Sequence, residues 1–130
     1  MNTRMMVLVF ACVPLLQTTT AAAVNTGGEL LRYCEQAERV FSTNPNVSSG
    51  ANVDQANQCL AFIQGVLGGV RMADVLSNVK YTLLCTPSGV RNEQFIRVVL
   101  SWLRQKPEAL HEDAGALVAL ALIAAFPCGK

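Results

Sequence analysis

The sequence predicts an all-α fold, a small four-helix bundle-like domain braced by two disulfides. Three observations carry this. Apolar residues recur at spacings of three and four along four segments, the period of one helix face. The breaks between segments are rich in Pro, Gly, Ser and Asn, and no strand-like alternation competes with them. Of the 5 cysteines, one lies in the N-terminal apolar stretch, which leaves an even number for the domain.

With 130 residues the chain has room for one domain. Residues 1–23 read as a cleaved signal peptide and residues 24–130 as the helical domain. Arg4 supplies the positive start, Met5 to Leu16 the apolar core, and Ala21, Ala22 and Ala23 the small side chains that a signal peptidase reads. The apolar run is shorter than the roughly 20 residues a bilayer span needs. Lipidation at Cys12 is the alternative, but the bulky Phe10 fits a lipobox poorly. The expected location is therefore the periplasm.

The first helix is expected over Gly28 to Phe41, where Leu30, Cys34, Ala37 and Phe41 form a stripe and Glu35, Glu38 and Arg39 a solvated face. Ser42 to Val53 is polar and reads as a loop, longer than most helix connections. Within it, Asn46-Val47-Ser48 matches a glycosylation sequon, a short motif that the bacterial-type export signal makes a chance match. The second helix is expected over Asp54 to Ser77, capped by Asp54 and carrying Cys59, Phe62, Ile63, Val66, Leu67 and Val70. Gly65, Gly68 and Gly69 lie inside it at about 1 kcal/mol each against alanine. Close approach of another backbone, within the bundle or at a dimer seam, is the expected compensation, and a kink near a site is the alternative. Tyr81 to Cys85 is a short β-leaning run, and Thr86 to Gly89 a turn. The third helix spans Asn92 to Gln105, with Asn92 as cap and Phe95, Val98, Val99, Trp102 and Leu103 on one face. Pro107 ends it and opens the fourth, Glu108 to Phe126, which is apolar nearly all round and is expected to be the buried central element.

Cys34, Cys59, Cys85 and Cys128 remain for the domain and allow three pairings. A tight turn makes the third and fourth helices antiparallel, so Cys85 and Cys128 fall at one end of that hairpin. The pairing expected is Cys85–Cys128 and, by sliding of the first two helices, Cys34–Cys59.

Composition and motifs exclude several chemistries. A net charge of +1 and the lack of a basic stripe argue against nucleic acid, and no mature segment suits a membrane surface. The cysteines are too widely spaced for a zinc knot. His111-Glu112 begins like HExxH, but Gly115 stands where the second histidine belongs, so no metal site is expected. His111, the sole histidine, reads as a capping or packing residue, with a pH-sensitive contact as the alternative, and Glu112 and Asp113 suit a helix N-terminus. Ser101 stands beside Trp102 without a GxSxG, and no phosphate loop follows a strand. No cofactor, no catalytic residue and no enzyme activity are expected.

The cysteine-bearing segments resemble the Rap/Tai family of type VI secretion immunity proteins. CLAFIQGVLGGV from Cys59 is similar to its C-x-x-(Tyr/Phe)-Ile-x-Gly-Val signature. From Cys85 onward, Pro87, Gly89, Val90, Gln94, Leu103, Pro107, His111, Ala114, Phe126, Pro127 and Cys128 match the family's spacing. Gly28, Leu30, Leu31 and Cys34 resemble its opening, and Arg91 stands where a Thr cap is common. The resemblance implies a periplasmic immunity protein that binds a secreted cell-wall-degrading effector, in the best-known cases a peptidoglycan amidase, and blocks it sterically as a homodimer. The plug would be the 42–53 loop, with Thr43, Asn44, Asn46, Ser48, Ser49 and Asn52 as partner-binding residues. Two alternatives share this build. One is a periplasmic stress chaperone that acid would turn positive by protonating its 9 carboxylates. The other is a structural envelope subunit.

Overall fold

Reciprocal capping starts the first helix. The protein is described here by a computed structural model covering residues 23–77 and 83–129, which places α1 at Gly27–Val40. The Thr26 hydroxyl accepts the Glu29 N–H at 3.3 Å. The Glu29 carboxylate in turn accepts the backbone N–H groups of Asn25 at 2.9 Å and Thr26 at 3.1 Å. Donors that a helix start leaves unpaired are thus satisfied locally. The same two backbone bonds, Asn25's first, hold the Glu29 carboxyl below the usual carboxylate range. The signal-peptide reading rests on residues outside those described, apart from its last, Ala23, as does the Tyr81 end of the β-leaning run.

The stretch expected to be loop throughout contains one helical turn, α2, at Pro45–Ser48. Asn44 accepts the Asn46 N–H at 3.0 Å, and Pro45 enters the first turn with φ already set. α3 runs Val53–Ser77. Its cap is Asn52 and not Asp54: the Asn52 side chain accepts the Gln55 N–H at 3.0 Å, which leaves Asp54 inside the first turn. α4 spans Asn92–Arg104 with no side-chain cap at Arg91. Asn92 sits one residue too late to cap, and its side-chain oxygen instead accepts the Gln64 Nε2–H at 3.0 Å, tying α4 to α3.

The expected fourth helix is broken. Pro107–Ala109 form a 3-10 turn, and α5 begins only at Ala114 and runs to Ala125. The reason lies in what the intervening backbone does. The carbonyls of Leu110 and Glu112 accept the Gly28 and Gly27 N–H groups at 2.8 and 3.1 Å, and the Ala114 N–H donates to Asn25 at 2.9 Å. Groups that would continue a helix hold the start of α1 instead. Glycine suits position 27, because a Cβ there would run into the Leu117 side chain and stand 3.2 Å from the Leu110 Cα. Asp113 then caps α5 by accepting the Ala116 N–H at 2.8 Å.

The core joins Leu30, Cys34 and Ala37 of α1 to Cys59, Ile63 and Leu67 of α3, Val99, Leu100 and Leu103 of α4, and Leu117, Val118 and Leu122 of α5. Ile96 and Leu100 are buried, whereas Val98 and Trp102, expected to be core, are only half-buried. The central element is α1, which packs against α3, α4 and α5. α5 buries one face and leaves Leu120 exposed, since its neighbours cannot cover an all-apolar helix on every side.

Cys34 is bonded to Cys59 and Cys85 to Cys128. The first bond is inside the core, with both residues at 0% exposure. The second closes the open end of the α4–α5 hairpin, beside the Leu84–Pro127 bridge, with Cys85 exposed. Phe95 and Phe126 pack edge-on at that end, 5.7 Å between ring centroids.

Candidate partner-binding surface

Residues 42–53 make an excursion between α1 and α3 that is pinned at both ends. The Ser42 N–H donates to the Arg39 carbonyl at 3.0 Å, and the Asn52 N–H to Gln36 Oε1 at 3.1 Å. The six polar residues expected to meet a partner divide into two kinds. Asn44 caps α2, Ser48 Oγ donates to the Pro45 carbonyl at 3.4 Å, and Asn52 caps α3. Their side chains shape the excursion. Thr43, Asn46 and Ser49 are exposed, and their side-chain groups point to no bond within the described residues.

Polarity alone hides the apolar part of this surface. Phe41, Val47 and Val53 are 38%, 42% and 56% exposed and flank or interrupt the polar run. Exposed apolar groups ringed by polar ones are the composition of an interface centre and its rim. The signal was in the sequence: a lone Val47 among Asn, Pro and Ser, and an aromatic ending the α1 stripe.

Beside the excursion lies an open groove of about 610 Å³ lined by Glu35, Glu38, Arg39, Phe41, Val47 and Arg97, with Arg104 at its floor. Arg104 reaches from α4 to Glu38 at 2.7 Å and to Glu35 at 3.7 Å. The hydrogen bond from Arg104 holds the Glu38 carboxyl below its usual range, and Glu38 raises the Arg104 guanidinium in return. With side chains more than two-fifths exposed, this triad orders the groove wall and adds little stability. The face expected to be simply solvated is thus a charged wall shared by α1 and α4.

His111 departs from its expected role. Its side chain is 78% exposed at the tip of the turn before α5, where Glu112 stands 3.1 Å away. It neither caps nor packs, because Asp113 has the capping position. Ser101 accepts a hydrogen bond from Gln105 at 3.0 Å. Among the described residues no group of three or more His, Cys, Asp or Glu side chains is placed to hold a metal.

No curated protein and no solved structure matches the chain significantly. The family model for Rap1a immunity proteins matches residues 26–128. That span begins at the Thr26 cap, takes in α1 to α5 and ends at the second half of the Cys85–Cys128 bond. The chain belongs to the Rap1a immunity protein family.

Proposed function

We propose that the protein is exported to the periplasm by a signal peptide over residues 1–23, and there binds and sterically blocks a secreted cell-wall-degrading effector. The effector is a type VI secretion toxin of the peptidoglycan amidase class. The protein itself is not an enzyme and works without a cofactor, as a homodimer. The observation that carries this reading is the family match across residues 26–128. The place of contact is the 42–53 excursion, with Val47 as its apolar anchor and Thr43, Asn46 and Ser49 around it. Asn44, Ser48 and Asn52 hold its shape. Support for that choice comes from exposed apolar side chains on a backbone fixed at both ends, which spares the ordering cost a free loop would incur on binding.

The experiment is protection. Cells carrying a periplasmically directed amidase effector from the same genome should survive when this chain is co-produced and lyse when it is not. A Val47→Arg variant should fold normally and lose protection. Lysis despite properly exported, disulfide-bonded protein, for every secreted effector of the genome, would refute the reading.

A further inference from the structure

Among the described residues the best-exposed apolar surface lies elsewhere. α3 leaves the core at Leu67, and beyond it only Val70 and Asp74 are half-buried. Met72, Val75 and Leu76 stand 57%, 76% and 76% exposed. They continue a face that begins with Ala61, Gly65, Gly68 and Gly69, at spacings of three and four. The three glycines meet nothing within the chain: a Cβ on any of them would have no neighbour within 4 Å. Close approach within the bundle, one of the expectations for these glycines, is therefore excluded. The face carries no charge. Arg71 turns aside to donate to Thr86 Oγ1 at 2.9 Å, and Asp74 lies toward the packed side.

We propose that this face is the seam of the homodimer named above, formed by two antiparallel copies of α3 about a two-fold axis between Gly68 and Gly69. A two-fold contact requires that residue i meet residue j and j meet i. The face satisfies that rule with its glycines gathered at the crossing when the axis lies between Gly68 and Gly69. With the axis there, Met72 of each copy meets Gly65 of the other, Leu76 meets Ala61, and Gly68 meets Gly69. Met72 and Leu76 each face a small residue, Val75 meets the edge of Phe62, and the three glycines cluster where the backbones cross. Small residues at such spacing let helices approach more closely than the usual 8–10 Å. A flat face without charge suits a copy of itself better than a folded partner with a polar surface. The contact is one helix pair, smaller than the roughly 800 Å² per partner of a standard interface, which is the size class of weak, transient contacts.

The test is sedimentation velocity on the purified disulfide-bonded protein, from about 1 to 100 µM. The wild type should shift from monomer to dimer mass across that range. Gly68→Arg should weaken association at least about tenfold, with an unchanged circular dichroism spectrum because the position is open in the monomer. Gly68→Cys should cross-link to itself on mild oxidation, whereas Ser101→Cys on α4 should not. A wild type that stays monomeric, or a dimer that Gly68→Arg leaves intact, overturns the inference. So does a monomer that floats with anionic lipid vesicles through α3, a helix long and apolar enough to cross a membrane. A monomeric wild type that still protects against the amidase sinks this seam and spares the proposed function. A Gly68-dependent dimer that protects against no effector does the reverse.

Discussion

Loop length and burial make opposite predictions about which disulfide matters more, and the structure decides between them. The Cys34–Cys59 bond spans 25 residues and the Cys85–Cys128 bond 43. Restriction of the unfolded chain alone assigns them about 3.5 and about 4 kcal/mol, so the second should be the stronger. Burial reverses the order. Both sulfurs of the first bond are sealed between α1 and α3 at 0% exposure, while Cys85 is exposed. Replacing Cys34 and Cys59 by alanine removes two buried sulfurs at about 1 kcal/mol each, and more where the core does not close over the void. The total becomes about 5.5 kcal/mol against about 4 for the Cys85→Ala, Cys128→Ala pair. Urea unfolding of the two double variants should show the inner pair less stable by about 1.5 kcal/mol, or some 6–12 °C in Tm for a domain of this size. Dithiothreitol under native conditions should open the outer bond first, because a thiolate must reach the sulfur it attacks. If the outer double variant proves the less stable, loop entropy governs and the packing argument fails.

Three further outcomes follow from local structure. Asn52→Ala should cost about 1 kcal/mol by removing the α3 cap, and Asp54→Ala clearly less, in matched denaturation curves. The Glu29 and Glu38 carboxyls titrate below their usual range in the native state. Their contribution is therefore complete above the ordinary carboxylate range and lost as pH falls through the depressed native values, and Glu29→Gln should flatten the acid limb of a Tm-against-pH curve. Gly27→Ala should destabilise the fold by collision with the Leu117 side chain and crowding of the Leu110 backbone, with a Tm loss that Gly28→Ala, at 3.5 Å from its nearest neighbour, does not match.

Helix periodicity made the all-α class legible, and the same periodicity misjudged the fourth helix. Counting apolar residues from Glu108 to Phe126 gives an unbroken pattern, yet Leu110 and Glu112 lend their carbonyls to Gly27 and Gly28. That partnership is between distant segments, and no local rule carries it. Caps failed for a smaller reason. Asp54 and Asn92 are as good capping residues as Asn52 and Asp113, and only the chain's path decides which sits half a turn outside. The disulfide partition was readable because a hairpin end is a geometric consequence of a tight turn. The proposed contact surface was only half readable: a polar loop is visible as composition, but the exposure of Val47 is set by the folded chain and the Arg104 bridge to Glu38 by α4 lying against α1.

The two proposed surfaces together fix a stoichiometry. The 42–53 excursion joins α3 at Asn52, sixteen residues before the axis between Gly68 and Gly69. At 1.5 Å per residue that is about 25 Å, so an antiparallel pair sets its two excursions about 50 Å apart, at opposite ends. One effector groove spanning both is implausibly long for a single small enzyme, and neither excursion lies on the seam. Each copy should therefore hold its own effector, giving a two-to-two assembly in native mass spectrometry. Gly68→Arg should convert it to one-to-one with effector still bound. A two-to-one complex, or loss of effector binding in that variant, would mean that contact residues come from both copies and that the axis lies closer to the excursion than Gly68.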